Sequence, residues 1–302
     1  MEEVARVLVG RHKFEQNREL ALAIEQVRAA GRPVELLVID GMAELETEVR
    51  RAVQDGCARV VAAGGDGTLG QVAQALAATS ADTPLGIVPL GTGNDFARAA
   101  GIPLEPEAAL RLALDATPRA VDLGRAGDWD FLNMGTAGFG TSATVETDED
   151  LKGHLGSFAY LLSGLAQLSA LEAIEARLHA PDLEWTGAFF VLAIGNGRTA
   201  GGGIPLCPDA LLDDGLLDVT LIEAVDLADL IGGALGDDAD GPIRRRRVPW
   251  LELETGRPIQ VNLDGEPLET ATVRFECRRH ALRVCLPPDA PLAALPGQEA
   301  TE

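Results

Sequence analysis

The sequence predicts an α/β domain followed by a β-rich domain, and three observations predict it. Over about the first 125 residues, short apolar runs alternate with helical patterns, the signature of βα units on a mostly parallel sheet. From Val121 onward the pattern changes to strand-like runs separated by Gly, Pro and Asp turns, which reads as an antiparallel β-sandwich. The chain has 302 residues, a length that suggests two domains, and its apolar fraction of 46% supports a core in each. The expected division is residues 1–122 for the α/β domain and 123–296 for the β-rich domain, with a disordered tail over 297–302.

Taken in order, Val7, Leu8 and Val9 read as a first buried strand. A helix follows with the apolar stripe Leu20, Leu22, Ile24 and Val27, and Gly31 ends it. A second strand is expected over 34–39, a helix over about 43–54 that stops at Gly56, and a third strand over 59–63. A glycine loop comes next, then a helix over 69–77, a fourth strand over 85–88 and a turn at Pro89-Leu90-Gly91-Thr92-Gly93. Two short helices lead to Val121. Beyond it strands are expected over 131–134, 188–194, 216–222, 258–263 and 281–286. One apolar helix interrupts them over 157–171. It reads as a buried packing helix, because about 15 residues with Gln167 inside are too few to span a bilayer.

Composition excludes several classes. No run of about 18 or more apolar residues occurs, so no transmembrane helix is expected. Met1-Glu2-Glu3 carries acids where a secretion signal needs basic residues, so the protein is expected to stay in the cytoplasm. Cys57, Cys207, Cys277 and Cys285 lack Cys-x-x-Cys spacing and read as reduced, mostly buried thiols. His12, His154, His179 and His280 are scattered, which argues against zinc. The net charge of -22 argues against non-specific nucleic-acid binding and against adhesion of the whole molecule to anionic lipid. One basic run stands out, Arg244 to Arg247 beside Trp250. It reads as a solvated loop paired with acids such as Asp237, Asp238 and Asp240, the alternative being an anchor at an anionic membrane face.

Two segments carry chemistry. Ala63-Gly64-Gly65-Asp66-Gly67-Thr68 lies between a strand and a helix. Its glycines let a phosphate approach the backbone, and the helix beginning near Leu69 offers free N–H groups and its positive end. Asp66 is suited to hold Mg²⁺ against phosphate oxygens, and Thr68 to donate to a phosphate or to cap the helix. The loop is neither a P-loop nor a Rossmann fingerprint, and alone it reads equally well as a tight turn. The second segment is Gly91-Thr92-Gly93-Asn94-Asp95-Phe96-Ala97-Arg98, again after a strand. Ends of parallel strands face one crevice, so both loops can line one nucleotide cleft. An Asn-Asp helix cap is the plain alternative there.

Together these segments resemble the diacylglycerol-kinase catalytic family, which is related to NAD kinases and phosphofructokinases. The resemblance continues through Phe139-Gly140-Thr141, Gly195-Asn196-Gly197-Arg198, Ala200 to Gly203, Leu206-Cys207-Pro208 and Asn262-Leu263-Asp264-Gly265-Glu266-Pro267-Leu268. That series looks like the bacterial YegS-like lipid kinases and covers nearly the whole chain. It implies an N-terminal domain of the phosphofructokinase/NAD-kinase type, ATP as phosphoryl donor and a membrane lipid as acceptor, with diacylglycerol and phosphatidylglycerol the leading candidates. The nucleotide residues it implies are Gly64, Gly65, Asp66, Gly67, Thr68, Leu69, Gly70, Gln71, Thr92, Asn94 and Asp95. Phosphoryl transfer to a hydroxyl also needs a proton acceptor. The resemblance implies Glu266, with Asp264 the second candidate; the bare pattern is that of an Asp-Gly hairpin turn. It further implies a Mg²⁺ or Ca²⁺ site in the second domain, formed by the Asp214 carboxylate and the carbonyls of Leu211 and Leu216. An oxygen-only set of that kind suits those ions.

The sequence departs from the family in places. Gly10-Arg11-His12-Lys13 lacks the Asn-Pro of many relatives, though Arg11 and Lys13 could still meet phosphates. Gln71 stands where relatives usually have Glu, and Ile39 where they have a threonine near the nucleotide. Peripheral action at the inner membrane face is the expected mode. The alternatives are an NAD-kinase-like enzyme, or a non-catalytic nucleotide- or lipid-binding protein on the same fold.

Overall fold

The computed structural model describes residues 4–79, 81–138, 172–201, 203–225 and 241–292. The helix expected over 157–171, the Phe139-Gly140-Thr141 segment and the tail over 297–302 lie outside the described residues. The first half runs β1 (Ala5–Gly10), α1 (Arg11–Gln16), α2 (Arg18–Ala29), β2 (Val34–Ile39), α3 (Met42–Gln54), β3 (Arg59–Gly64), α4 (Asp66–Thr79), β4 (Leu85–Pro89), α5 (Asp95–Ala99) and α6 (Pro106–Asp115). Local chemistry explains the helix ends. The Asn17 side chain accepts the Leu20 N–H at 3.0 Å and starts α2. Glu105 does the same for Glu107 and Ala108, with Pro106 in the first turn of α6. α2 buries Leu20, Ala23, Ile24 and Val27. Leu22, expected in that stripe, is 57% exposed, because two residues along a helix turn a side chain to the opposite face.

The four strands are parallel in the order β2-β1-β3-β4. The chain leaves β1 for β2 on one side and returns to β3 on the other. Loops that follow β1 and β3 therefore diverge and open a crevice at the carboxyl ends. Val7, Leu8, Val60, Val61, Leu85 and Val88 are buried among apolar helix faces, as a parallel sheet covered on both sides requires.

The second half comprises β5 (Arg119–Ala126), β6 (Trp129–Phe131), β7 (Met134–Ala137), β8 (Ile174–Ala180), β9 (Leu183–Gly195), β10 (Leu217–Glu223), β11 (Ile243–Val248), β12 (Trp250–Leu263) and β13 (Glu266–Val284). Pairings among these strands are antiparallel. β9 and β12 are long, and each pairs with β7 over one part of its length and β8 over another. They wrap a core that includes Phe131, Phe189, Leu251, Val261 and Phe275.

The halves are joined by one sheet. Val284 of β13 pairs in parallel with Leu85 of β4. Residue 122, the expected boundary, falls within β5, which lies along β13. Three further expectations shift. α4 begins at Asp66 rather than Leu69, so half of the glycine segment is helix. The strand expected over 131–134 is broken between β6 and β7 at Leu132-Asn133, where those N–H groups turn to a side chain described below. The arginine run is strand β11 rather than a loop, at the edge of the sheet among the described residues. Arg244 pairs with Glu223 of β10. The acids expected to partner the run, Asp237, Asp238 and Asp240, lie outside the described residues. Charged side chains on an edge strand discourage pairing with another chain.

Gly124 faces Phe131 across β5 and β6, and a Cβ at Gly124 would lie 2.0 Å from the ring. Gly124→Ala is expected to lower the unfolding free energy by about 1–3 kcal/mol through overpacking, as measured by urea denaturation.

Candidate active site

The site is built from two backbone loops, one hairpin and the crevice beside them. β3 ends at Gly64, and the Gly65 carbonyl already accepts the Leu69 N–H at 3.0 Å, so α4 starts immediately. The first-turn N–H groups of α4 have no partner within the helix and point toward the crevice end of the sheet. The second loop is pressed against the first. Leu90 N–H donates to the Gly64 carbonyl at 2.8 Å, and a Cβ at Gly91 would stand 2.6 Å from Gly65 Cα. Gly91 therefore needs glycine, and a Cβ at Gly65 would be tight at 3.2 Å from Gly91 Cα.

Two of the expected nucleotide residues spend their side chains on shaping this pair of loops. Asn94, in the left-handed region at φ 50°, accepts the Gly91 N–H at 2.8 Å and donates to the Gly91 carbonyl at 2.9 Å. Asp66 accepts the Asp95 and Phe96 N–H groups, each at 3.1 Å, and so caps α5. Thr92 is exposed at the loop tip, and Asp95 is buried. The carboxylates of Asp66 and Asp95 converge over Gly93: an added Cβ there would lie 3.6 Å from Asp66 Oδ2 and 3.4 Å from Asp95 Oδ1. Gly203, in the glycine segment singled out by the sequence, approaches the same Asp95 oxygen. These hard, anionic oxygens fit Mg²⁺, which takes one or two carboxylates together with phosphate oxygens.

Beside the loops lies a pocket of about 460 Å³ lined by Gly10, Arg11, His12, Lys13, Ile39, Asp40 and Thr68, among others. It lies at the carboxyl ends of β1 and β2, with Thr68 of α4 reaching it from the β3 side, and its volume suits a nucleotide-sized ligand. The segment expected as a first loop is the start of α1. Arg11 is bound to Asp40 through a two-pronged ion pair, which lowers the Asp40 pKa and occupies a cation expected to meet phosphate.

The hairpin between β12 and β13 brings the second half to the loops. Its turn is Asp264-Gly265, with φ 50° and 103°, and Asn262 accepts the Gly265 N–H at 2.8 Å. The Asp264 carboxylate accepts three backbone N–H groups: Leu132 at 2.6 Å, Asn133 at 3.1 Å and Met134 at 2.8 Å. Burial pushes its pKa up while these three donors pull it down, and the negative charge of Asp66 adds to the rise. Asp264 is thus a structural clamp between β6 and β7. Glu266, two residues on, is exposed, and Gln71 Nε2 donates to its Oε1 at 3.1 Å. The first turns of α4 and the hairpin touch directly, since a Cβ at Gly70 would lie 3.3 Å from Asp264 Cβ.

Comparison with known proteins bears on this arrangement. Residues 10–126 match the family model of the diacylglycerol kinase catalytic domain, and residues 135–286 that of the YegS C-terminal NAD kinase beta sandwich-like domain. A Pseudomonas aeruginosa protein named probable lipid kinase YegS-like is 48% identical over 298 residues, spanning 97% of this chain and 98% of its own length. One of the same name from Pseudomonas fluorescens is 46% identical over 97% of this chain and 98% of its own length. The chain belongs to the YegS-like lipid kinases of the diacylglycerol kinase family. The crystal structure of a diacylglycerol kinase from Bacillus anthracis superposes with a TM-score of 0.71 at 20% identity, covering 96% of this chain and 98% of that one; it shares the fold.

In this lipid kinase the turn expected to hold a second cation is otherwise engaged. Asp214 Oδ1 accepts the Leu216 N–H at 3.0 Å, and Oδ2 is ion-paired with Arg247. No group of three or more His, Cys, Asp or Glu side chains arranged for a metal occurs among the described residues. A divalent ion on Asp214, Leu211 and Leu216 would have to displace the guanidinium, so the residues present do not fit one.

Several structural residues of the site were given no role by the sequence. Asn133 Nδ2 donates to the Thr199 carbonyl at 2.6 Å. Asn196, fully buried, donates to the Leu132 and Asp122 carbonyls at 2.6 and 3.0 Å. Asp122, also fully buried, accepts the Gly215 and His280 N–H groups, each at 2.7 Å. The signal for Asp122 was a lone acid inside the apolar run Ala120-Val121-Asp122-Leu123.

Two predictions separate loop from clamp. A Cβ at Gly67 meets nothing within 4 Å, so Gly67→Val is expected to fold normally yet lose ATP affinity by ~10-fold or more, read by calorimetry. Asp264→Asn, which turns an amide toward N–H donors, is expected to cost about 2 kcal/mol or more of stability, whereas the exposed Glu266→Gln leaves it within about 0.5 kcal/mol, both read by denaturant unfolding.

Proposed function

We propose that this kinase transfers the γ-phosphate of ATP to a hydroxyl of a membrane lipid, diacylglycerol or phosphatidylglycerol being the candidate acceptors, and that it acts peripherally at the membrane face. The observation that carries this reading is the direct contact between the phosphate-binding end of α4 and the Asp264-Gly265-Glu266 hairpin, through Gly70 and Gln71. A carboxylate with no structural duty in its own turn stands beside an anion-binding helix end.

The roles follow from geometry. The crevice at the ends of β1 and β2, bounded by Thr68, takes the nucleotide, and the backbone of Gly64 to Thr68 meets its phosphates. Mg²⁺, when bound with the nucleotide, neutralises phosphate charge, and Asp66 and Asp95 are the residues that would hold it. Glu266 takes the proton of the acceptor hydroxyl as that oxygen bonds to the γ-phosphorus and the bond to the β–γ bridging oxygen breaks, releasing ADP. Gln71 holds one oxygen of Glu266 and leaves the other for the hydroxyl. Asp264 acts through the backbone it fixes. Among the described residues no helix is long and apolar enough to cross a membrane, so the acceptor is met at a surface.

Incubation with γ-labelled ATP, Mg²⁺ and vesicles carrying diacylglycerol or phosphatidylglycerol, with NAD as a control acceptor, is expected to label a lipid and not NAD. Glu266→Gln is expected to reduce that turnover by ~10²-fold while ATP still binds. Label in NAD alone, or a wild-type rate for Glu266→Gln, overturns the reading.

A further inference from the structure

We propose that Arg247 is the resident cation of the Asp214–Asp218 turn: its guanidinium takes the place that a divalent ion would otherwise fill in the second domain. The register of the sheet puts it there. Asp218 of β10 lies directly opposite Arg247 of β11, and such cross-strand neighbours are the closest side-chain pairs in a sheet. From that position Arg247 reaches both acids. It pairs with Asp214 Oδ2, and its Nε lies 3.5 Å from Asp218 Oδ2.

Burial favours a cation at this point. The side chains of Asp214 and Asp218 are only 10% and 11% exposed, and two carboxylates withdrawn from water this far demand a compensating charge. Asp218 Oδ2 has no hydrogen-bond partner and only this ion-pair contact with the guanidinium, and burial still pushes its pKa up to about 7. A planar, permanently charged fork can face two carboxylates at once without the six-fold oxygen shell that Mg²⁺ needs. The remaining Asp214 oxygen is held by the Leu216 N–H, which closes the turn without help from an ion. The preceding acid, Asp213, is matched in the same way by Arg119 at 3.1 Å. The three acids of the turn thus meet two guanidiniums from within the chain, and the arginine run gains a purpose other than membrane adhesion: Arg244 answers Glu223 and Arg247 answers Asp214 and Asp218.

The consequence is a second domain whose stability does not depend on divalent cations. The experiment is thermal unfolding of the full chain, without nucleotide, in EDTA and in millimolar MgCl₂ or CaCl₂. It compares wild type, Asp214→Asn, Arg247→Gln and Arg247→Lys. Expected are a melting-temperature change on adding Mg²⁺ or Ca²⁺ that is the same, within about 1 °C, for wild type and Asp214→Asn, and a loss of roughly 4 °C or more in Arg247→Gln. Arg247→Lys, which keeps charge but not the fork, is expected to lie between and serves if Arg247→Gln does not fold. A Mg²⁺ or Ca²⁺ stabilisation of wild type that Asp214→Asn lacks overturns the proposal. So does a wild-type melting temperature in both Arg247 variants.

Discussion

The site depends first on the Asp264 carboxylate and the three backbone N–H groups it receives. Leu132, Asn133 and Met134 lie where β6 gives way to β7, so their N–H groups are not all satisfied by a strand ladder. A buried N–H left without a partner costs about as much as a lost hydrogen bond, and a carboxylate is the strongest acceptor the chain can offer. One side chain thereby fixes the β6–β7 break, the tip of the β12–β13 hairpin and, through Gly70, the seat of α4. Glu266 inherits its place from that clamp. A carboxylate with two solvent-facing oxygens in an Asp-Gly turn would leave the hairpin free to swing away from α4.

The paired glycine loops before α4 and α5 are made mostly from backbone, and the charge distribution explains why. The chain carries 47 acids against 25 lysines and arginines, and its arginines are largely committed to acids and carbonyls. Near the cleft Arg11 is bound to Asp40, and Arg98 donates to the Gly93 carbonyl at 2.9 Å. A helix start with glycines packed to within van der Waals reach of a second loop supplies aligned N–H donors without further cations. The same pairing habit reaches the far edge of the sheet, where Arg244 and Arg247 of β11 pair with acids of β10 and its preceding turn.

Much of this was legible beforehand because it is local. Parallel strands ending in glycine segments follow from apolar runs and turn residues that are contiguous in sequence, and β2 runs over 34–39 as read. The catalytic family was legible because its motifs are short and specific. What misled was also local. Leu22 was assigned to a buried stripe although its helical phase points it outward, and Leu132-Asn133 was read as strand because nothing nearby reveals that its donors turn to residue 264. The glycine segment was read wholly as loop, although α4 starts at Asp66 once the Gly65 carbonyl accepts a helical bond.

The sequence by itself determined the two-domain order, the α/β and β-rich classes, the paired glycine loops and the Asp-Gly-Glu hairpin, since each is set by backbone propensity and side-chain pattern within a few residues. Only the tertiary structure sets the surroundings of Asp264 and Glu266 apart. Asp264 and Glu266 are two positions apart and chemically alike; one is enclosed by three N–H groups from 130 to 132 residues away, and the other is left at the cleft. Likewise Arg247 meets Asp214 across 33 residues because strand register sets it opposite Asp218, beside the turn that carries Asp214. Such long-range pairings depend on how sheets close and where a buried charge finds its partner, and no short window of sequence contains both halves of either contact.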